Sequence, residues 1–232
     1  MLSSVICRIV LIAASLFTFV FITLAQSQSR SQVSLPAIRE GVAFVRQRQA
    51  ILGAMALDMF AVIFASATAL LPIYANEILH VGPRGYGLLS AGMEIGSLLM
   101  AVVMLTRRPF ERPGRALLIA VAVFGVSTIV FGLSRWFPLS FVAFVIAGMA
   151  DQVSVVTRSI IIQLSTPDEL RGRVSSVNLL FIGASNQLGA VESGFVAALT
   201  SATVAVVSGG VLCIVVLALV AAKMPELRAY RT

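Results

Sequence analysis

Five ionisable side chains lie within long apolar stretches of the sequence, where charged groups are rare. They are Asp58, Glu94, Asp151, Arg158 and Glu192. Carboxylates in such positions can take up and release protons, and we predict that these residues line a proton or substrate pathway. The alternative is that they form buried pairs that fix helix packing, with Arg158 extending its side chain to the membrane surface.

The surroundings of these residues are apolar enough to indicate a membrane protein. Of the 232 residues, 59% are hydrophobic and 12% are charged, and the mean hydropathy is +0.99. A water-soluble core of this length has no place for so many apolar residues. The composition therefore excludes a soluble enzyme, a disordered tail and a disulfide scaffold, and it predicts a chain that is mostly membrane span.

Seven apolar runs are near or above the ~20 residues that cross ~30 Å of hydrocarbon. They are Leu2–Leu24, Ala50–Ile73, Gly85–Leu105, Arg115–Leu133, Phe137–Leu164, Val174–Leu199 and Ala202–Ala222. Charged or Pro/Gly-rich breaks separate them. We therefore predict an all-α fold, a polytopic membrane helix bundle with seven transmembrane helices.

Basic residues are concentrated in alternate loops and in the tail. In chain order these regions hold Arg30, Arg39, Arg46 and Arg48; Arg107, Arg108, Arg112 and Arg115; Arg171 and Arg173; and Lys223, Arg228 and Arg231. Because basic loops stay in the cytoplasm, the pattern predicts a multi-pass protein of the inner (plasma) membrane with a cytoplasmic C-terminus. It also explains the formal charge of +7 without a nucleic-acid partner.

The N-terminus and the loop that follows it each allow two interpretations. An apolar run that ends near Ala25 could be a cleaved signal peptide, although cleavage would leave the arginines of 30–48 outside, against the charge pattern. In the loop, Leu35, Ile38, Val42 and Val45 fall on one helical face. This spacing predicts a short amphipathic helix on the cytoplasmic membrane surface, and the alternative is an extension of the second transmembrane helix.

Polar residues recur in the spans in groups of three helices. The second, third, fifth and sixth spans carry them, whereas the first, fourth and seventh are almost free of them. The second to fourth and the fifth to seventh spans therefore form two units that begin on opposite sides of the membrane, which is the pattern of an inverted repeat and a common transporter plan. In the sixth span, Asn178, Asn186 and Gln187 are predicted to form interhelical hydrogen bonds that help helices pack.

Depth along the helices predicts one specific pair. At ~1.5 Å per residue, Asp58 lies ~12 Å and Arg158 ~10 Å from the cytoplasmic ends of their spans. The two side chains can meet as an ion pair if their helices are neighbours. Gly92 and Gly96 form a GxxxG step around Glu94, which favours a close helix contact.

Metal, cofactor and catalytic sites are not predicted. Cys7 and Cys213 lie in apolar runs, and His80 has no histidine or cysteine nearby. A membrane enzyme would need a nucleophile with a base, or a metal group, within the spans. The sequence offers no such Ser/His or His/Glu grouping, so we predict that the protein is not an enzyme.

Two stretches of the sequence carry a family resemblance. The first runs from Ile38 through Arg46 and continues from Gly53 to Val62, with Asp58 inside it. The second runs from Thr166 to Asn178 and from Phe181 to Gly189. Together they resemble major facilitator superfamily transporters, in the branch that contains the enterobactin exporter and the transmembrane secretion effector proteins. The loop 107–115 keeps only part of the superfamily's Gly- and Arg-rich loop.

The resemblance implies a six-helix C-terminal transporter bundle with one preceding helix. Residues 1–25 would be that preceding helix, 26–49 a cytoplasmic loop, 50–223 the bundle and 224–232 a cytoplasmic tail. It also implies that Asp58, Asp151 and Arg158 face the cavity. The expected partners are the lipid bilayer, a small-molecule substrate, and either a missing N-terminal half or a second copy of the chain.

Two functions follow from this resemblance. The first is export of a small molecule by proton antiport, performed by a half-transporter. The alternative is a truncated inactive remnant, or a wrongly started gene model, of a twelve-helix transporter. A receptor or scaffold role has less support, because the sequence contains no soluble signalling domain.

Overall fold

The computed structural model describes residues 35–65, 67–106 and 110–230. Helices are the only regular elements in these ranges. The bundle helices are α2 (Gln49–Ala65), α3 (Gly82–Thr106), α4 (Pro113–Leu133), α5 (Phe137–Ser165), α6 (Asp168–Leu199) and α7 (Ala202–Lys223). A shorter helix, α1 (Leu35–Gln47), precedes them, and α8 (Pro225–Ala229) follows them. The all-α fold class is therefore confirmed.

Five helical segments are long and apolar enough to cross a membrane, by length and composition: Gln49–Ile78, Gly82–Thr106, Pro113–Leu133, Phe137–Ser165 and Ala202–Lys223. They correspond to five of the seven predicted spans. The first predicted span, Leu2–Leu24, lies outside the described residues. The sixth, Val174–Leu199, lies within α6, which has 32 residues and is ~48 Å long. Helix α6 is long enough to cross a membrane, but its polar residues lower its mean hydropathy below that of the other five segments.

The second predicted span is less regular than the sequence indicated. Regular α-helix ends at Ala65, and the chain continues as a 3-10 turn at Thr68–Leu70, a short α-helical segment at Leu71–Ile73 and a π-helical turn at Tyr74–Ile78. The side chain of Tyr74 is fully buried here. Its hydroxyl donates to the carbonyl oxygen of Gly132 at 3.0 Å and so ties the irregular segment to the end of α4.

The two predicted three-helix units, α2–α4 and α5–α7, are related by contacts that run mainly from one unit to the other. Helix α2 packs on α6 and α7, and its counterpart α5 packs on α3 and α4. The two last helices, α4 and α7, pack on each other. This is the pattern that a pseudo-twofold axis exchanging the two units produces, so the packing supports the inverted repeat read from the sequence.

Glycines permit the closest helix crossings in both units. Where α3 crosses α5, a Cβ on Gly96 would overlap the carbonyl oxygen of Val145, and one on Gly148 would overlap that of Met93. At the equivalent crossing of α6 and α2, Gly189 lies against the backbone of Val62 and Ile63. The GxxxG step at Gly92 and Gly96 thus marks a close helix contact, as predicted. Small residues serve this purpose in membranes, where lipid is as apolar as the helices and association depends on close packing.

Helix α1 is a separate amphipathic helix, but its apolar face contacts protein. Arg48 interrupts the helix between α1 and α2, so α1 is not an extension of the second span. Val45 is buried and Val42 packs in the same cluster as Val174 and Val177 of α6. The expectation that this face lies on the membrane surface was therefore wrong for these residues, because the start of α6 covers them.

The C-terminal segment packs back onto the bundle. Leu227 of α8 is fully buried, close to Gly53 of α2 and Gly114 of α4. The Tyr230 hydroxyl lies 2.8 Å from that of Ser165, at the end of α5. Together with α1, α8 defines one side of the bundle, which we call the basic side. It also carries the start of α4 and the turn between α5 and α6.

The glycine crossings generate a stability prediction with an internal control. Gly148→Ala should lower the free energy of unfolding by about 1–3 kcal/mol, because the new methyl group meets the backbone of α3. Gly194→Ala on α6 has open space around it and should leave stability unchanged or raise it, since alanine favours helix. Thermal unfolding of the purified protein in one detergent checks both variants. Equal effects at the two positions would contradict the close crossing.

Candidate functional site

A buried ion pair joins the first helices of the two units. Arg158 of α5 donates through Nη1 to Oδ2 of Asp58 on α2. Only 4% of Arg158 and 6% of Asp58 is exposed. The pair predicted from depth along the helices is therefore confirmed, and the reason is that α2 and α5 are neighbours near the pseudo-twofold axis.

Small side chains on α2 make room for this pair. Ala54 and Ala61 lie about one helical turn to either side of Asp58 on α2, and both are buried in the main apolar cluster of the bundle. Asp58 lies ~14 Å along α2 from Gln49, well inside the span. A charge at such a depth is stable only when it is paired, and the Arg158 guanidinium supplies the opposite charge.

The arginine keeps hydrogen-bonding capacity beyond its contact with Asp58. Its Nε is buried and has no hydrogen-bond partner among the described residues. The same holds for Oδ1 of Asn178 on α6. A guanidinium group carries five N–H donors, and the Nε donor of Arg158 is left without an acceptor among the described residues.

Two further carboxylates flank the crossing of α3 and α5. Gly148 lies against the backbone of Met93, which puts Glu94 and Asp151 on either side of this contact. Asp151 is half-buried and Glu94 is exposed on α3. Neither forms a salt bridge with any residue in the described ranges, so these carboxylates differ from Asp58 in having no basic partner there.

The remaining predicted polar residues all lie on α6. Glu192 is half-buried and accepts a long hydrogen bond of 3.5 Å from the Ser193 hydroxyl. Asn178 is half-buried, whereas Asn186 and Gln187 are exposed, and neither of these two bonds to another described side chain. The side chains of Asn186 and Gln187 are therefore exposed on the surface of the described bundle. Their predicted packing role stays a prediction.

Metal binding is not supported within the described ranges. No group of three or more His, Cys, Asp or Glu side chains is close enough there to hold an ion. Cys213 is a buried free thiol of the main apolar cluster. The arrangement suits proton exchange and ion pairing, which need only carboxylates and a guanidinium.

One ion pair on the basic side was missed by sequence reasoning. Arg173 of α6 lies 2.5 Å from the carboxylate of Glu40 on α1. Next to it, Gly41 lets the two helices approach closely at the Arg173 carbonyl. The two charges are far apart in sequence, and no pattern in the chain indicated that α1 folds back onto α6.

The fold and the buried charges together define a polytopic membrane protein built on an inverted three-helix repeat. The family whose description is "transmembrane secretion effector" matches residues 2–231. The chain belongs to this family of the major facilitator superfamily, and its general function is therefore membrane transport. In the same comparisons, neither a curated protein nor a solved structure matches the chain. Family membership points to a transporter and not to an enzyme.

The buried pair generates a prediction about stability. Asp58→Asn should destabilise the protein by about 3–5 kcal/mol, because it leaves the Arg158 charge buried without a partner. Adding Arg158→Gln to this variant should restore part of the loss. The control is Arg173→Gln, which breaks an exposed pair and should cost at most about 1 kcal/mol. Thermal unfolding of all variants, measured as a double-mutant cycle, tests the coupling, and strictly additive effects would argue against a direct pair.

Proposed function

We propose that the protein exports a small molecule across the plasma membrane in exchange for protons. The observation that carries this proposal is the unpaired carboxylate set at the crossing of α3 and α5. Asp151 and Glu94 lie near the middle of α5 and α3, and neither forms a salt bridge with a described residue. Carboxylates within membrane spans form proton relays, and in this proposal they take up and release the exchanged proton.

The ion pair gives the pathway a second element. Asp58 and Arg158 lie on α2 and α5, and Arg158 shares a helix face with Asp151, seven residues away. A change in the protonation of Asp151 alters the field that Arg158 experiences. In this proposal the pair holds α2 and α5 together in one state of the cycle, and Glu192 on α6 lies on the same route.

Transport by alternating access needs a second bundle that rocks against the first. We propose that the bundle of 50–223 acts as one half of such an assembly, preceded by the helix of 1–25 and the loop of 26–49. The surfaces of α3 and α6 support this proposal, because they expose Leu98 and Leu99 and also Leu179 and Leu188. The second bundle is either an N-terminal half or a second copy of the chain.

Orientation is proposed from charge. The basic side carries the arginines of α1, of the start of α4 and of the first turns of α6, and residues 224–230 pack there as well. The positive-inside rule then places this side and the C-terminus in the cytoplasm.

Transport measurements test the role of the carboxylates. Asp151→Asn and Glu94→Gln should each remove most export, and the residual export should no longer respond to a protonophore, because an amide cannot carry the proton. Glu169→Gln, an exposed carboxylate at the start of α6, is the matched control and should transport normally. The assay follows efflux of siderophores, drugs and lipophilic metabolites from cells that express each variant. Normal, protonophore-sensitive export by both variants would remove the carboxylates from the mechanism.

Reporter fusions test the orientation. A green fluorescent protein joined after Thr232 should fluoresce, and alkaline phosphatase joined at the same place should be inactive, because both report a cytoplasmic C-terminus. The same two reporters inserted in the turn at Thr200 and Ser201 are the control. This turn lies at the other end of the bundle, so the phosphatase should be active there and the fluorescent protein dark. Active phosphatase at the C-terminus would reverse the proposed orientation.

A further inference from the structure

An open groove runs between α3 and α4 and reaches the basic side of the bundle. Its volume is about 840 Å³, and α5 forms its floor. Met100 of α3, Ile119 and Val123 of α4, and Met149 and Val153 of α5 line its walls. A volume of this size lies within the ~300–1,000 Å³ of small-molecule sites, and walls of this kind suit an apolar ligand.

The groove lies between two helices that share a floor. Among the described residues, helices α3 and α4 both pack extensively on α5 and hardly contact each other. Their counterparts in the second unit, α6 and α7, do pack together. The pseudo-symmetry therefore provides an internal comparison: the equivalent space is closed in one unit and open to the surrounding membrane in the other.

The apolar track continues beyond this cavity. A second cavity of about 370 Å³ shares Val123 and Ile146 with the first and reaches Val130. From Arg112 to Val130 the track follows α4 for ~27 Å, which is longer than the ~15 Å depth of one leaflet's hydrocarbon. A lipid chain that enters at the basic side has apolar walls along its whole length.

Positive charge is concentrated at the mouth of the groove. Arg112 and Arg115 both line it and are exposed, together with one carboxylate, Glu111. Neither arginine forms a salt bridge with a residue that the structure describes. Helix α4 begins at Pro113, so its N-terminal dipole adds to the positive potential at the same place. An anionic head group beside an apolar track matches this arrangement.

We propose that this groove is a binding site for an anionic phospholipid. The phosphate of the head group lies between Arg112 and Arg115, and one acyl chain lies along α4 over the floor formed by α5. Basic pockets between transmembrane helices on the positively charged side recognise anionic head groups in this way. The site is separate from the proposed transport route, because none of Asp58, Glu94, Asp151, Arg158 and Glu192 lines it.

Native mass spectrometry of the purified full chain in detergent tests the site. The probes are phosphatidylglycerol and phosphatidylcholine with identical acyl chains, and inorganic phosphate. The wild type should bind phosphatidylglycerol more tightly than phosphatidylcholine. The expected difference in affinity is about fivefold for each arginine near the head group, and so roughly 25-fold for the two arginines. Inorganic phosphate at millimolar concentration should not displace it, because phosphate alone gains nothing from the apolar track.

Two variants separate the contribution of charge from that of the groove. The double variant Arg112→Gln with Arg115→Gln should bind the two lipids equally. Ala116→Phe places a ring in the groove and should weaken the binding of both lipids. The matched controls are Arg135→Gln and Ala198→Phe, exposed positions away from the groove, which should behave as the wild type. Gel filtration confirms that each variant is folded.

Three results would overturn the proposal. The first is equal binding of the two lipids by the wild type, and the second is an unchanged preference in the double arginine variant. The third is displacement of phosphatidylglycerol by inorganic phosphate, which would show a phosphate site and not a lipid site. If Ala116→Phe abolished export while lipid binding stayed unchanged, the groove would belong to the transported molecule.

Discussion

Charges inside a membrane-spanning bundle have to be paired or reach water, and the Asp58–Arg158 pair meets this constraint at the centre of the molecule. It joins α2 to α5, the first helix of each three-helix unit, close to the axis that relates the units. The small residues of α2 that surround it are explained by this pair, because larger side chains would separate the helices. The other helices pack outward from α2 and α5.

Packing of those outer helices depends on backbone approach. Lipid offers apolar side chains nearly the same environment as a helix surface does, so hydrophobicity alone does not select partners in a membrane. Gly96 and Gly148 bring α3 onto α5, and the Ser97 hydroxyl donates to the carbonyl oxygen of Gly148 at 3.1 Å. Among the described residues no glycine brings α3 and α4 together in this way, and the groove lies between these two helices.

Ionisable groups divide into three sets with different surroundings. Arginines at the basic side are exposed, and the proposals on orientation and on lipid head groups rest on them. Asp58 and Arg158 are paired and buried. Asp151 and Glu94 lie within the helical spans and form no salt bridge with a described basic residue, and the proposed proton route runs through them for this reason.

Sequence alone determined the helical fold, most span boundaries and the depth of each charge, because hydropathy and the rise per residue are local properties. Depth was enough to predict that Asp58 and Arg158 could meet. Tertiary structure decided which helices are neighbours, and this requires contacts between residues far apart in the chain. It therefore brought Glu94 and Asp151 to the same helix crossing, folded α1 onto α6 through Glu40 and Arg173, and left a groove between α3 and α4. Periodicity cannot reveal such pairings, because each depends on how closely two backbones approach.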